Sequence, residues 1–195
     1  MTRIVVVDDH PAVRAGVQAI VEACPDLEFA GAGDGRDGEL WPLLATSRPD
    51  LVLLDYHLPR TDGLRVCYTI KHSLPAIKVV LYTAYSGPAL TLPALIVGAD
   101  GIVEKRAAAA ELIAATARAM DGGRQLPAVT RRDVEAACAG MIGRHRAVVQ
   151  LLAAGVHEDE LARRLGRSRE DVREAVYEII GAIRPMVRTD DRVWR

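Results

Sequence analysis

Across residues 1–121 the chain switches its hydrophobic period back and forth, and this constrains the fold more than any other feature. Ile4-Val5-Val6-Val7, Leu27 to Ala32, Leu51-Val52-Leu53-Leu54, Ile77 to Leu81 and Gly101-Ile102-Val103 are short apolar runs, most of them rich in β-branched residues. Such runs suit strands buried on both faces. Between them the apolar residues fall at helical spacing. Val13, Val17, Ile20 and Val21 sit at i, i+4, i+7 and i+8, and Leu64, Cys67 and Ile70 form a similar stripe. Ala107 to Met120 is almost pure helix former. Five strands interleaved with five helices imply right-handed crossovers and a parallel α/β sheet. Pro42 and Pro93 fall inside the second and fourth helical stretches, so those helices are expected to start late or kink.

The alternation stops at Gly122-Gly123, which ends the last helix. Residues 122–143 read as a linker with a short helical piece around Asp133 to Ala139. From Arg144 the pattern is helix only: Arg144 to Ala154, a corner at Gly155, Glu158 to Leu165, a tight turn Gly166-Arg167-Ser168 with Ser168 as N-cap, then Arg169 to Ile183, stopped by Pro185. A length of 195 residues accommodates these as two domains, 1–121 and 144–195.

Composition narrows the function classes. Lys and Arg number 25 against 26 Asp and Glu, which excludes a histone-like or acidic-tail protein. The halves differ, with 12 basic against 15 acidic residues in 1–124 and 13 against 11 in 125–195. Aromatics at 4% argue against a base-stacking nucleic-acid platform. The longest apolar runs are about five residues, far short of a membrane span. Met1-Thr2-Arg3-Ile4 runs into Asp8-Asp9 without the pattern of a signal peptide, so a cytoplasmic location is expected. Cys24, Cys67 and Cys138 lack metal or redox spacing and read as reduced thiols.

In parallel α/β sheets function gathers at the C-terminal ends of the strands. The first strand here ends in Asp8-Asp9, the third in Asp55, the fourth near Thr83 and the fifth in Glu104-Lys105. One Asp after a strand is often no more than a helix cap, and Asp8 or Asp9 is placed to cap a helix beginning at Pro11. Three carboxylates, a hydroxyl and an ammonium on one edge call for more. Carboxylates about 5 Å apart repel by roughly 3 kcal/mol at an effective dielectric of 20. Lys105 supplies one compensating charge, and a divalent cation two more. Oxygen ligands favour Mg2+ over zinc. With a metal in place Asp55 is set to attack a phosphoryl donor and form an acyl phosphate, while Thr83 and Lys105 stabilise the transferring oxygens.

The motifs Val7-Asp8-Asp9-His10-Pro11, Leu53-Leu54-Asp55-Tyr56-His57-Leu58-Pro59-Arg60-Thr61-Asp62-Gly63, Tyr82-Thr83-Ala84 and Gly98-Ala99-Asp100-Gly101-Ile102-Val103-Glu104-Lys105 resemble, in order, those of the receiver domain of bacterial two-component response regulators. The resemblance implies a flavodoxin-like (βα)5 fold with strand order 2-1-3-4-5. It makes Asp55 the phosphoacceptor and a sensor histidine kinase the donor's source. It implies that Asp9, Asp55 and the His57 backbone carbonyl bind Mg2+, with Asp8 helping through water. Thr83 and Lys105 then engage the phosphoryl group, and His57 and Tyr85 flank the path of attacking water. Two positions depart from the pattern: Ile102 replaces an aromatic whose rotation reports phosphorylation, and Arg106 stands where proline is common. The imidazole of His57 is not expected to ligate, because no second His or Cys has zinc spacing. Gly31-Ala32-Gly33-Asp34-Gly35 is read as a flexible turn rather than a dinucleotide loop. Asp55-Tyr56-His57 lacks the second Asp of aspartate-nucleophile phosphatases, so a stand-alone enzyme is not expected.

The tail has the outline of a helix-turn-helix. Leu161-Ala162-Arg163-Arg164-Leu165-Gly166-Arg167-Ser168 resembles the LuxR-type module of NarL/FixJ response regulators. The resemblance implies a DNA-binding regulator that acts as a homodimer, with Arg163, Arg164, Arg167, Arg169 and Arg173 as the candidate DNA contacts. Several positions diverge. Asp171 stands where the family carries a phosphate-contacting threonine, Ala175 where it often has His, and Met141-Ile142-Gly143 where it tends to have Leu-Thr-Pro, which removes a threonine cap. The recognition stretch Arg169 to Ile183 holds Arg169 and Arg173 against Glu170, Asp171, Glu174 and Glu178. A helix entering DNA is normally positive. The alternative output is therefore a degenerate module serving protein contacts. Beyond Pro185 only ten residues remain, with Thr189 placed to cap a short turn and Trp194 expected as a packing anchor.

Overall fold

A computed structural model describes residues 1–36, 38–59, 61–84, 88–124 and 126–183. Tyr85, Thr189 and Trp194 lie outside the described residues. The elements run β1 (Thr2–Val7), α1 (Pro11–Glu22), β2 (Leu27–Gly33), α2 (Leu40–Ser47), β3 (Leu51–Asp55), α3 (Gly63–Ser73), β4 (Lys78–Thr83), α4 (Pro88–Ile96), β5 (Gly101–Glu104), α5 (Ala109–Met120), α6 (Arg131–Cys138), α7 (Gly143–Ala153), α8 (Glu158–Leu165) and α9 (Arg169–Ile183).

The five strands form one parallel sheet in the order β2-β1-β3-β4-β5. β3 is central and buried at every residue, as its unbroken apolar run requires. Edge strand β5 alternates buried and half-buried residues. Because successive side chains point to opposite faces, Ile4, Val6, Leu51, Leu53 and Val80 share one side. There they cluster with Val17 and Val21 of α1 and with Leu112, Ala115 and Ala119 of α5. The alternate set, Val5, Val7, Val52, Leu54 and Leu81, is equally buried.

Local chemistry explains several boundaries. α2 begins at Leu40, so Pro42 sits in its first turn, where a missing N–H is harmless. α4 runs through Pro93. The glycine-rich segment is not simply a turn. Gly31 and Gly33 belong to β2, at and just after a bulge, and a Cβ on either would stand 3.0 Å from the Leu43 side chain. No side chain caps α1; Asp8 Oδ1 instead accepts the His10 N–H at 2.9 Å. α7 likewise has no side-chain cap at Ile142, as the lost threonine implies. The three cysteines are free, with Cys67 and Cys138 buried and Cys24 half-buried. Burial pushes the Cys67 thiol far above its ordinary value.

The chain divides into two compact units. The first holds Met1–Ser86 and Gly98–Leu126, and the second Gly87–Val97 and Pro127–Arg195. Among the described residues no helix is long and apolar enough to cross a membrane. In the second unit Leu161, Val172, Val176, Ile179 and Ile183 form a buried helical core. Thr130 and Asp133 make a reciprocal capping box at the start of α6. Gly166 takes the left-handed conformation that ends α8 and turns the chain into α9.

Candidate functional site

Three strand ends deliver the charged cluster. β1 stops at Val7, so Asp8 and Asp9 leave the sheet together but in different directions. Asp8 is fully buried, whereas the Asp9 side chain keeps 29% of its exposure. β3 ends in Asp55 itself, 2% exposed. Lys105 follows β5, its backbone N–H tied to the Thr83 carbonyl at 2.8 Å. Its ammonium reaches back across the strand ends to Asp55 Oδ2 at 2.8 Å and Asp8 Oδ2 at 2.7 Å. Thr83, fully buried, ends β4. Asp55 Oδ1 accepts the His57 N–H at 3.1 Å, while the His57 ring packs edge-on against Tyr56 at 4.4 Å and stays out of the carboxylate cluster.

The electrostatics are those of a site short of positive charge. Burial pushes the Asp55 carboxyl above the ordinary range, although the hydrogen bond from Lys105 pulls the other way. Burial also works against the Lys105 ammonium, but Asp55 and Asp8 together outweigh it and hold that pKa above the usual lysine value. Two carboxylate oxygens, Asp8 Oδ2 and Asp9 Oδ1, are buried without an aligned hydrogen bond, even though Lys105 Nζ and His10 Nδ1 lie 2.7 Å from them. Single donor atoms of Asp8, Asp9, His10 and Asp55 all lie within 4.8 Å of one another. Oxygen-rich, negative and holding two orphaned carboxylate oxygens, this set fits a hard divalent cation.

Some participants were not visible in the sequence pattern. Arg14 donates to the Asp8 carbonyl at 2.6 Å, and Tyr82 Oη donates to the Lys105 carbonyl at 3.3 Å. His10, placed in the motif only by its position, turns its ring into the cluster. Asp62 caps α3 by accepting the Leu64 N–H at 2.9 Å, and this seats Gly63 against the Asp55 backbone.

The arginines of the tail lie in the second unit and are largely engaged there. Arg163 and Arg164 share Glu160 at 2.5 and 2.8 Å, and Arg169 pairs with Asp159 at 2.8 Å. Arg173 is half-buried. Arg167 is exposed and lines a cleft of about 310 Å³ with Arg144, Asp171, Glu174 and Glu178. Asp171 has a structural task. Its carboxylate accepts the Ser168 N–H at 3.0 Å while its own N–H donates to Ser168 Oγ at 3.0 Å, a capping box at the head of α9.

Comparison with known proteins agrees with this geometry. Residues 4–117 match the response regulator receiver domain. The chain is 26% identical to the DNA-binding transcriptional activator DevR/DosR of Mycobacterium tuberculosis, covering 100% of this chain and 94% of that protein. It is 28% identical to the nitrate/nitrite response regulator protein NarL of Escherichia coli, over 98% and 93% of the two chains. Among solved structures, a LuxR-family two-component response regulator from Aurantimonas is 30% identical over 69% of this chain and 94% of that one, with a TM-score of 0.59. RcsB of Salmonella enterica serovar Typhimurium, solved bound to a promoter, shares the fold over 98% of this chain at 22% identity and a TM-score of 0.57. A receiver match that spans the whole sheet and runs into α5, continued by likeness through the helical tail, places the chain among the two-component response regulators, in their NarL/LuxR-type branch.

Proposed function

We propose that Asp55 takes a phosphoryl group from a phosphohistidine of a cognate sensor histidine kinase. Phosphorylation then governs transcription through homodimers on paired DNA half-sites. Residues 1–121 are the receiver, 122–143 the linker and 144–195 the output module of a cytoplasmic protein. The observation that carries the reading is a buried Asp55 held by one ammonium that Asp8 shares, beside carboxylate oxygens with no aligned donor.

In the transfer a carboxylate oxygen of Asp55 attacks phosphorus, the P–N bond breaks, and the imidazole of the donor leaves with a proton. Mg2+ held by Asp9, Asp55 and the His57 backbone carbonyl, with Asp8 in support, would neutralise charge on the transferring oxygens. Lys105 gives up a carboxylate and bonds to the new phosphoryl group. Thr83 moves its hydroxyl toward the same group. Together they bias a pre-existing two-state equilibrium. The chemistry is confined to the protein's own phosphorylation and dephosphorylation.

The test is labelling of the full chain with acetyl phosphate and Mg2+, followed by binding to a genomic fragment library across a salt series. One phosphoryl group per chain, lost in Asp55→Asn, is expected, with DNA binding that tightens on labelling. The salt slope of roughly 0.9 per phosphate contact counts the engaged arginines. Labelling that survives Asp55→Asn overturns the assignment.

A second output is favoured by one observation. Arg163, Arg164 and Arg169 are already ion-paired inside the module, and α9 lines its cleft with Asp171, Glu174 and Glu178. Exposed pairs are worth about 0–1 kcal/mol and can be exchanged for phosphates, so DNA remains the first reading. Stoichiometric labelling with no DNA binding in either state selects protein contact instead.

A further inference from the structure

We propose that Tyr82 is a positioning residue for the phosphoryl transfer: its hydroxyl holds the main chain of Lys105 at the point from which the ammonium reaches Asp55. The inference rests on the phosphoacceptor reading above and adds to it a residue that touches neither metal nor phosphorus.

Lys105 follows the last residue of β5 and lies in a turn. Both polar atoms of its main chain are nevertheless held, and by consecutive residues of β4. The Thr83 carbonyl accepts its N–H at 2.8 Å, and the Tyr82 hydroxyl donates to its carbonyl at 3.3 Å. One grip comes from the backbone of β4 and the other from the far end of a ring.

The ring itself is fixed. Tyr82 is 7% exposed and belongs to the cluster that Val6, Leu53 and Val103 share with α1 and α5. Val103 is its register partner on β5. A phenylalanine would fill this place without needing a hydrogen-bond partner, so packing alone does not account for the oxygen.

The tie acts at the root of a long lever. A flexible four-carbon stem separates the Lys105 backbone from an ammonium that meets Asp55 at 2.8 Å and Asp8 at 2.7 Å. The ammonium is as well placed as that root. At 3.3 Å the tie is about half an ångström longer than a relaxed O–H···O bond. It is slack while Lys105 is divided between two carboxylates. When the ammonium gives up a carboxylate for the transferring oxygens, the carbonyl is free to close on the hydroxyl. A contact that tightens along the reaction raises the rate and leaves donor affinity alone.

The test uses the full chain, labelled by acetyl phosphate and Mg2+ over a range of donor concentrations. Tyr82→Phe removes one oxygen and keeps the ring, and the Ile4 methyl signal in urea checks that the first unit is folded. The variant should label about three- to tenfold more slowly at saturating donor, the worth of one hydrogen bond, with KM within about twofold of wild type. The carbonyl 13C resonance of Lys105 should shift. Lys105→Ala should itself label more slowly, and adding Tyr82→Phe to it should slow it no further. A hydroxyl that only stabilises the fold would slow both backgrounds by the same factor. That result, or labelling of Tyr82→Phe at the wild-type rate, overturns the proposal while the assignment of Asp55 stands. Labelling that survives Asp55→Asn removes the phosphoacceptor reading, and the proposal falls with it.

Discussion

Gly63 shows how much of a catalytic position is set by a residue with no chemistry. A Cβ there would lie 2.3 Å from the Asp55 carbonyl oxygen and 2.7 Å from that of Tyr56. Both are backbone atoms at the end of the central strand and cannot step aside. Gly63→Ala should lower stability by about 1–3 kcal/mol by overpacking and slow Asp55 labelling by on the order of a hundredfold. Gly16 in α1 is the control. An added methyl there meets nothing within 4 Å, so Gly16→Ala should gain about 0.5–1 kcal/mol and label normally. Equal effects of the two substitutions in urea unfolding and labelling kinetics would refute the argument. At this scale the sequence announced Asp8, Asp9, Asp55, Thr83 and Lys105, because strand ends in a parallel sheet are predictable from hydrophobic runs. The resemblance gave Asp9 and Asp8 different metal roles, but not the directions in which they turn. Which of two consecutive carboxylates turns inward to Lys105 depends on how β1 hands over to α1, while the His10 ring meets both. The roles of Gly63 and Arg14 were hidden for the same reason: each acts on a backbone atom across a turn, six to eight residues away, where local pattern does not reach.

At the scale of elements, most of the chain's helices and strands could be read from period and propensity, and their ties could not. Asp100, just before β5, is 7% exposed and binds Lys71 of α3 at 2.8 Å, Lys78 of β4 at 3.4 Å and the Val79 N–H at 2.8 Å. These partners lie more than twenty residues away in sequence, beyond any local pattern. Asp100→Ala leaves the buried Val79 N–H without this acceptor and two half-buried ammonium groups without their counter-charge, although Lys71 keeps the Ile77 carbonyl at 3.2 Å, and should cost about 2–4 kcal/mol in urea unfolding. Asp100→Asn keeps an acceptor for Val79 and should cost less. A ranking in the opposite order would mean that charge, not the hydrogen bond, holds the joint. The head of α9 teaches a related lesson. The capping serine was legible, but Asp171 looked like a liability for phosphate contact until the structure showed its carboxylate closing the box with Ser168. Ser168→Ala should destabilise the second unit by about 1 kcal/mol.

For the whole molecule, the charge difference between the halves understates how differently the two units use their carboxylates. In the second unit, Asp171 is held below the ordinary carboxylate range by hydrogen bonds with Ser168, Glu160 by Arg164 and Arg163, Glu178 by His145 and Arg144, and Asp133 by Thr130. A lowered folded value means that stability is present above the unfolded pKa and is lost as pH falls through the folded one. In the first unit Asp55 is raised by burial, so the sign reverses: its contribution is greatest at low pH and is lost as pH rises through the folded value. Urea unfolding followed by methyl NMR separates the two, with Ile4 reporting the first unit and Ile179 the second. Without metal at pH 7, Asp55→Asn should raise the first unit's midpoint above wild type and leave the second unit's unchanged. Lowering the pH toward about 3 should shrink that difference in the first unit while the second unit's midpoint falls. Adding Mg2+ at pH 7 should raise the wild-type first unit more than it raises Asp55→Asn, because the cation supplies the charge that Asp55 lacks. An Asp55→Asn midpoint at or below wild type at pH 7 would show that the Lys105 pair already compensates the buried carboxylate, and that the site has no need of a cation to be stable.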